Sequence, residues 1–402
     1  MKIALIHYSL PPVTGGVERV LADHARLFTR HGHEVSAISG TPNANLGPGI
    51  TTITLPELSQ PSLVPPLATD PDHPWTAGHE QRADTLAEHF VSLLHGFDLA
   101  IVHNMLTMPF HLHATIALGR AANLLPIRWV NWIHDVAASN PDYFVPTDGP
   151  WTCLRTANPA FEHVAVSELR CREFSEVTGI PAPHVEIIPN GIDCEAHFGL
   201  TDELQHLSSK YRWLERDAIL FHPARILRRK NIEAGLHTIA ALRNEGIDAG
   251  LLITGAPDPH HSPSAAYAEE LATLRKQLKL EDHVWFLGEH IHVSAEALQA
   301  AYALADILWF PSHREGFGLP LLEAAVRRLP ILASPLEPLR EQAIPGAQWL
   351  PDPFSAAEAV RKIRKMLENE AIQARKSVFR QSHWDHIYRR HIEPLLARPG
   401  KH

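Results

Sequence analysis

Glu315-Gly316-Phe317-Gly318-Leu319-Pro320-Leu321-Leu322-Glu323 is the stretch whose reading decides the fold. Ahead of it, Asp306-Ile307-Leu308-Trp309-Phe310-Pro311 has the length and apolar content of a buried parallel strand. Behind it, Leu319 to Arg328 reads as a helix, with Pro320 in the first turn, where a missing N–H costs nothing. Strand, glycine loop and helix N-terminus together make an anion site. Gly316 and Gly318 let the backbone approach a ligand, and unpaired N–H groups aim at it. Glu315 would sit in the loop and Glu323 a little over two turns deeper, near the same face. Such a pair presents carboxylates to hydroxyls on two parts of a long, sugar-rich ligand. Without the Gly-x-Gly between them, a loop glutamate and a partly exposed helical one would serve equally well as a reading.

Working outward, the 402 residues exceed one ordinary domain core, so two domains are expected. A hydrophobic content of 45% is that of a soluble globular protein, and no apolar run reaches the length of a membrane span. Met1 to Tyr8 runs directly into a strand pattern without the apolar stretch and cleavage site of a signal peptide. Cys153, Cys171 and Cys194 are odd in number, far apart and without zinc spacing, which suits a reducing, cytoplasmic location. The net charge of −9 is concentrated in residues 1–195, which carry ten basic against twenty acidic side chains. That balance argues against nucleic acid and against docking on anionic lipid. The 28 histidines are dispersed, and the pairs His31/His33, His111/His113 and His260/His261 read as surface residues.

In the first half, residues 2–9 form a strand pattern, followed by a loop ending in Gly15-Gly16 and an apolar helical face through Val17, Val20, Leu21 and Phe28. This is again a phosphate-approach geometry, but it is not the G-x-G-x-x-G fingerprint, and the strand Val35 to Ser39 ends without the ribose-binding acid. A dinucleotide oxidoreductase is therefore disfavoured. Thr41 to Pro74 is a long loop with one strand at Thr51–Leu55, and Trp75 to Arg82 reads equally as a segment shaping a ligand site or as a surface excursion. A helix from about Ala83, a second over Pro109–Ala121 and the strand Ile127–Ile133 follow. That strand delivers His134-Asp135 at its carboxyl end, where open parallel sheets place ligand groups.

In the second half, Leu200 to Asp217 is polar, includes a short helix and reads as the linker region. The strand Ala218–His222 leads into Arg225-Ile226-Leu227-Arg228-Arg229-Lys230, four cations in six positions before a helix near Asn231. That turn is a plausible diphosphate clamp, with a solvated basic turn as the competing reading. Strand and helix then alternate to the glycine loop and beyond, through Gly288-Glu289 at another strand end, and helices occupy Ala356 to Leu396. Alternation in both halves predicts an α/β protein of two doubly wound domains.

The Glu315–Glu323 string resembles the E-x7-E motif of the retaining family four glycosyltransferases of the GT-B fold, and the resemblance extends over nearly the whole chain. It implies two Rossmann-like domains facing across a cleft. The acceptor-side domain would cover 1–195, with a last helix near 381–397 crossing back onto it, and the nucleotide-sugar-binding domain 196–380. It also implies roles: Glu315 on the donor sugar with Gly316, Phe317, Gly318 and Leu319 around it, Glu323 on the ribose, and His134 on the far side of the sugar. Arg225 and Lys230 match the family's phosphate-binding Arg and Lys, with Ala224 in place of a usual glycine; Arg228 and Arg229 take no role. Gly15 and Gly16 match the glycine loop bordering donor phosphates and acceptor, and Gly288 and Glu289 loosely match the base-binding loop. The implied reaction is retaining, metal-independent transfer of glucose or mannose from a UDP-, GDP- or ADP-hexose to a sugar or small-molecule hydroxyl, with no cofactor. A sugar-nucleotide epimerase on the same scaffold and a non-catalytic nucleotide-sugar-binding protein are the competing readings.

Overall fold

The chain is organised by two parallel sheets. In the computed structural model, which describes residues 1–42, 44–59, 75–255 and 262–399, the first sheet holds β1 (Lys2–Ile6), β2 (Glu34–Ser39), β3 (Ile50–Thr54), β4 (Leu99–His103), β5 (Arg128–Ile133), β6 (Phe161–Ala165) and β7 (Val185–Ile187) in the order β3-β2-β1-β4-β5-β6-β7. The second holds β8 (Ala218–His222), β9 (Ala249–Ile253), β10 (Val284–Phe286), β11 (Ile307–Phe310), β12 (Ile331–Ala333) and β13 (Gln348–Trp349) in the order β10-β9-β8-β11-β12-β13. Every pairing is parallel, as expected of central strands such as β4, β8 and β11 that are apolar runs buried on both faces, while β3 and β13 at sheet edges are only partly buried. Chain order reverses beside the first strand of each sheet, between β1 and β4 and between β8 and β11. Loops leaving those strands turn to opposite faces, and a crevice opens at their carboxyl ends.

Two compact units result, Met1–Ile192 with Ser382–His402, and Asp193–Gln381. The C-terminal segment is held to the first unit by packing and by backbone bonds. Trp384 is 1% exposed within the core cluster of the Gly16–Arg30 helix and donates from Nε1 to Asp23 Oδ2 at 3.0 Å. Gly191 makes room for it, since a Cβ there would stand 2.6 Å from the indole. Farther on, the buried Arg128 guanidinium donates to the carbonyls of Leu395 and Leu396, both at 3.0 Å, while pairing with Glu162. A cation thus caps the last carbonyls of a helix end.

Three expectations need correction. The helix placed from Ala83 starts at Ala77, because Thr76 and His79 form a reciprocal cap that the hydrophobic pattern does not signal. The segment read as a linker is folded into the second unit: its helix Asp202–Tyr211 buries Leu204 and Leu207, and the fully buried Trp213 lies 5.5 Å from Trp285. His111 and His113 are buried, not on the surface, because a 3-10 turn at Pro109–His111 precedes the helix Leu112–Leu124 and rolls them inward. His260 and His261, and most of the loop before Trp75, lie outside the described residues.

Trp384→Ala removes a fully packed indole and leaves Asp23 with one donor fewer. We expect a loss of about 3–5 kcal/mol in the stability of the first unit, read by urea denaturation; an unchanged midpoint would show that the C-terminal segment is not part of that core.

Candidate functional site

The turn after β8 and the loop after β11 are stitched together. His313 N donates to Arg229 O at 2.8 Å, and Asn231 Nδ2 donates to Pro311 O at 3.1 Å. Asn231 holds a left-handed conformation (φ 51°) as the residue before the helix Ile232–Asn244, which Asn tolerates better than most. These bonds bring Lys230 Nζ to 2.5 Å from Glu315 Oε1, with side chains only 11% and 8% exposed. Lys230 also lies over the Phe310 ring at 5.0 Å. Arg229, to which the sequence gave no role, reaches 3.6 Å from Glu315 Oε2, whereas Arg228 turns away to Glu270 at 2.5 Å. Of these three consecutive residues of a 3-10 turn, two converge on Glu315 and one turns away, so a run of cations does not say which face the carboxylate. Arg225 is exposed on the same turn. Beneath it, His222 is fully buried, and burial, with the Lys230 charge as a lesser cause, pulls its imidazole down to about 3.

Two glycines are required sterically. Gly318 holds φ +88° before the helix Leu319–Val326, and a Cβ there would meet Leu339 Cδ2 at 2.2 Å. Its carbonyl and that of Phe317 accept from Gln342, which pins the loop. Gly255, just past β9, was not singled out from the sequence: a Cβ on it would lie 2.4 Å from Ala224 O and 2.9 Å from Arg225 Cα. The glycine ending an apolar run was the available signal. Gly316 has open space around it, and Phe317 and Leu319 are 55% and 61% exposed.

Other predicted residues stand apart from this pair. Glu323 accepts from Tyr302 Oη at 2.5 Å, and burial followed by that carboxylate raises the phenol well above its ordinary value. Glu289 pairs with Arg275 at 3.1 Å and, like Gly288, is exposed beyond β10.

In the first unit, His134 follows β5 and its Nε2 shares a hydrogen bond with His103 Nδ1 at 3.2 Å. Asn104 (φ 50°) fixes the His134-Asp135 backbone by accepting both N–H groups, at 3.0 and 2.8 Å. His7 donates from Nδ1 to His103 O at 2.7 Å. The space over Gly15 is taken by Glu18, whose Oε1 accepts from Ser9 Oγ at 2.7 Å and lies 3.8 Å from His7 Nε2. A carboxylate therefore already sits at the helix N-terminus that the glycine loop was expected to offer to phosphate. Gly16 lines a recess of about 310 Å3 with His7, Tyr8, Ser9, Glu18 and Asn104, a lining suited to hydroxyls.

Burial pulls His24 and His134 each to about 3 and His103 well below its ordinary value, the neighbouring imidazoles adding to the effect. The folded state thus binds fewer protons than the unfolded chain below pH 6.5, so stability is full above that pH and falls toward pH 3. We expect about 2 kcal/mol lost per such imidazole between pH 7.5 and pH 5; urea midpoints that do not move over that range would contradict the assignment. Gly255→Val should displace the Ala224–Arg225 backbone while leaving the helical circular dichroism intact and, if that turn is a diphosphate clamp, should weaken the binding of inorganic diphosphate in a calorimetric titration.

The family model for glycosyl transferases group 1 matches residues 205–381, and that for Glycosyltransferase Family 4 matches residues 14–196. The mannosylglucosylglycerate synthase of Petrotoga mobilis is 26% identical over 302 residues, covering 70% of each chain. The glycogen synthase of Mycobacterium tuberculosis is 24% identical over 409 residues, covering 94% of this chain and 88% of the relative. A crystal structure of Anabaena Alr3699/HepE with UDP and glucose aligns over 99% of this chain and 100% of that one at 19% identity, with a TM-score of 0.39, too loose to add to the fold described above. With one family model on each parallel-sheet unit, the chain belongs to the group 1 and family 4 glycosyltransferases and carries their two-domain GT-B fold.

Proposed function

We propose that the protein transfers a hexose, with retention at the anomeric carbon, from a nucleoside diphosphate sugar to an acceptor hydroxyl. The observation that carries this reading is the Lys230–Glu315 pair, held beyond the carboxyl ends of the two central strands at the point where sheet order reverses. Lys230 offers three protons. One is engaged by Glu315, which leaves two for phosphate oxygens, and Glu315 keeps lone pairs for sugar hydroxyls. Arg225 and Arg229 on the same turn, with the N–H groups after Gly318, add positive potential where the leaving diphosphate gathers charge.

In the step itself the bond from the anomeric carbon to the phosphate oxygen breaks, and its electron pair leaves with the nucleoside diphosphate. The acceptor oxygen bonds to the same face of that carbon, and its proton passes to the departing phosphate oxygen. Protein cations take the part that a divalent metal plays elsewhere, so we expect turnover without added metal. Glu323 is assigned to the ribose and His134 to the sugar. The first unit is assigned to the acceptor, which the hydroxyl-suited recess beside Glu18 supports. The names of the two relatives favour glucose or mannose as the hexose, on UDP, GDP or ADP, and a soluble sugar, glycan or small metabolite as the acceptor. None of the three cysteines is in a disulfide, which is compatible with work in the cytoplasm.

A panel of UDP-, GDP- and ADP-glucose and -mannose, scored by release of nucleoside diphosphate with a mixed sugar acceptor pool in EDTA, tests the reading. With the active donor, Lys230→Ala should lower kcat/KM by about 10²–10³, and the product should carry the donor's anomeric configuration by NMR. Activity within twofold of the parent would remove Lys230 from the site, and conversion of donor without any acceptor would turn the reading to epimerisation.

A further inference from the structure

A recess of about 830 Å3 opens at the amino ends of β12 and β13, whereas Lys230 and Glu315 stand beyond the carboxyl ends of β8 and β11. Its volume is that of a small-molecule site. Four cations line it: Arg328 before β12, and Arg361, Lys362 and Lys365 on the helix Ala356–Leu367, with Glu368 as the acid in the lining. Arg361 is partly answered by Glu358 at 3.4 Å. Among the described residues, no acid stands within ion-pairing distance of Arg328, Lys362 or Lys365. The chain as a whole has a net charge of −9, so this positive potential is local.

The solvated face of an amphipathic helix accounts for part of this. Lys365 lies in the last turn, where a cation complements the helix dipole. It does not account for Arg328, which comes from another element and faces the same space. Arg328 closes the helix Leu319–Val326, donating from its N to Ala325 O at 2.9 Å while Leu329 N donates to Ala324 O at 2.9 Å. That closure needs the left-handed region, and Arg328 holds φ +56° where glycine is the unstrained residue. An arginine at such a position, lining the same recess as two lysines and with no acid within ion-pairing distance of any of the three, belongs to a group of like charges that an anion would relieve. Leu329, Ile331 and Met366 supply an apolar floor.

We propose that this recess binds a soluble small molecule carrying two or more phosphate groups, at a site distinct from the donor site. The cations come from two walls of a concavity, which matches a compact polyanion better than a flat lipid surface. One element joins the two places: the helix Leu319–Val326 starts beside the Glu315 loop and ends two residues before Arg328, a span of about 12 Å. A ligand in the recess therefore bears on the donor loop, and by reciprocity the donor bears on it. The coupling rests on the transferase reading; the binding does not.

Calorimetric titration of the full chain with inorganic tripolyphosphate tests this. Arg225→Ala/Lys230→Ala serves as the background, because it silences the donor-side phosphate site. In that background we expect one remaining site, weakened about tenfold or more by adding Lys362→Ala/Lys365→Ala and retained with Lys362→Arg/Lys365→Arg. Equal binding in the alanine and background proteins, or no binding in the background, would overturn the proposal. So would co-sedimentation with phosphatidylglycerol vesicles that needs Lys362 and Lys365 while tripolyphosphate does not bind, which would make the surface a membrane contact. Failure of the donor assays alone would remove the coupling and leave the tripolyphosphate result standing.

Discussion

A buried carboxylate sets the geometry of the second unit. Asp306 stands just before β11 with its side chain fully buried; Oδ2 accepts from Ile219 N at 2.7 Å, so the starts of β8 and β11 are tied to one group. Arg375 and Lys376 of the helix Glu370–Ser382 answer its charge at 2.5 and 2.6 Å. Arg375 also donates to the carbonyls of Ala303, Leu304 and Ala305, where the Ala295–Leu304 helix ends. Burial pulls Lys376 below its ordinary value, and Asp306 opposes that pull. Removing one member of such a cluster would strand a charge in the interior at a cost of about 3–5 kcal/mol. A one-residue slip between β8 and β11 would turn every side chain to the other face. The cluster therefore fixes, at the amino ends, which residues emerge together at the carboxyl ends. Lys230 meets Glu315 because Ile307 pairs with Leu220 and not with a neighbour.

That dependence explains which parts of the fold and site were legible. The central strands of both sheets were readable because parallel strands buried on both faces are largely apolar runs, and Ala218–His222 has the bounds read for it. The glycine loop was readable because Gly318 answers a backbone need that few residues meet. Asp306 read only as the residue opening a strand; its importance lies in cations about seventy residues later. Arg229 and Arg228 could not be told apart, since the direction each takes depends on where Glu315 and Glu270 come to rest. The segment 200–217 looked like a linker because its polar residues outnumber its apolar ones, although Trp213 and two leucines anchor it.

Histidines show the same limit from the other direction. Along the sequence they are dispersed, yet His7, His24, His103 and His134 come from four elements and meet in the first unit. His24 is packed between Trp132 and Trp384 at 4.7 and 4.8 Å. Rings so buried are held neutral because each would have to carry charge next to another imidazole in a poorly polarisable interior. Spacing cannot reveal such a cluster, because no two members share a turn of helix or a strand face.

The two units thus solve different electrostatic problems with different residues. At its switch point the second unit gathers Lys230 and Arg229 around one carboxylate, with Arg225 exposed in the segment leading to them, an arrangement with positive charge in excess. The first unit places at its own switch point neutral imidazoles, an asparagine and the Glu18 carboxylate, with no lysine or arginine lining the recess there. A diphosphate would be held by the cations of the second unit and repelled by the Glu18 carboxylate of the first. An uncharged hydroxyl needs the reverse, since a neutral acceptor and a carboxylate can take its proton's hydrogen bond without competing for phosphate. If the first unit takes the acceptor, as proposed, the acidic balance of residues 1–195, read first as evidence against nucleic acid and anionic lipid, would also turn a diphosphate away from it.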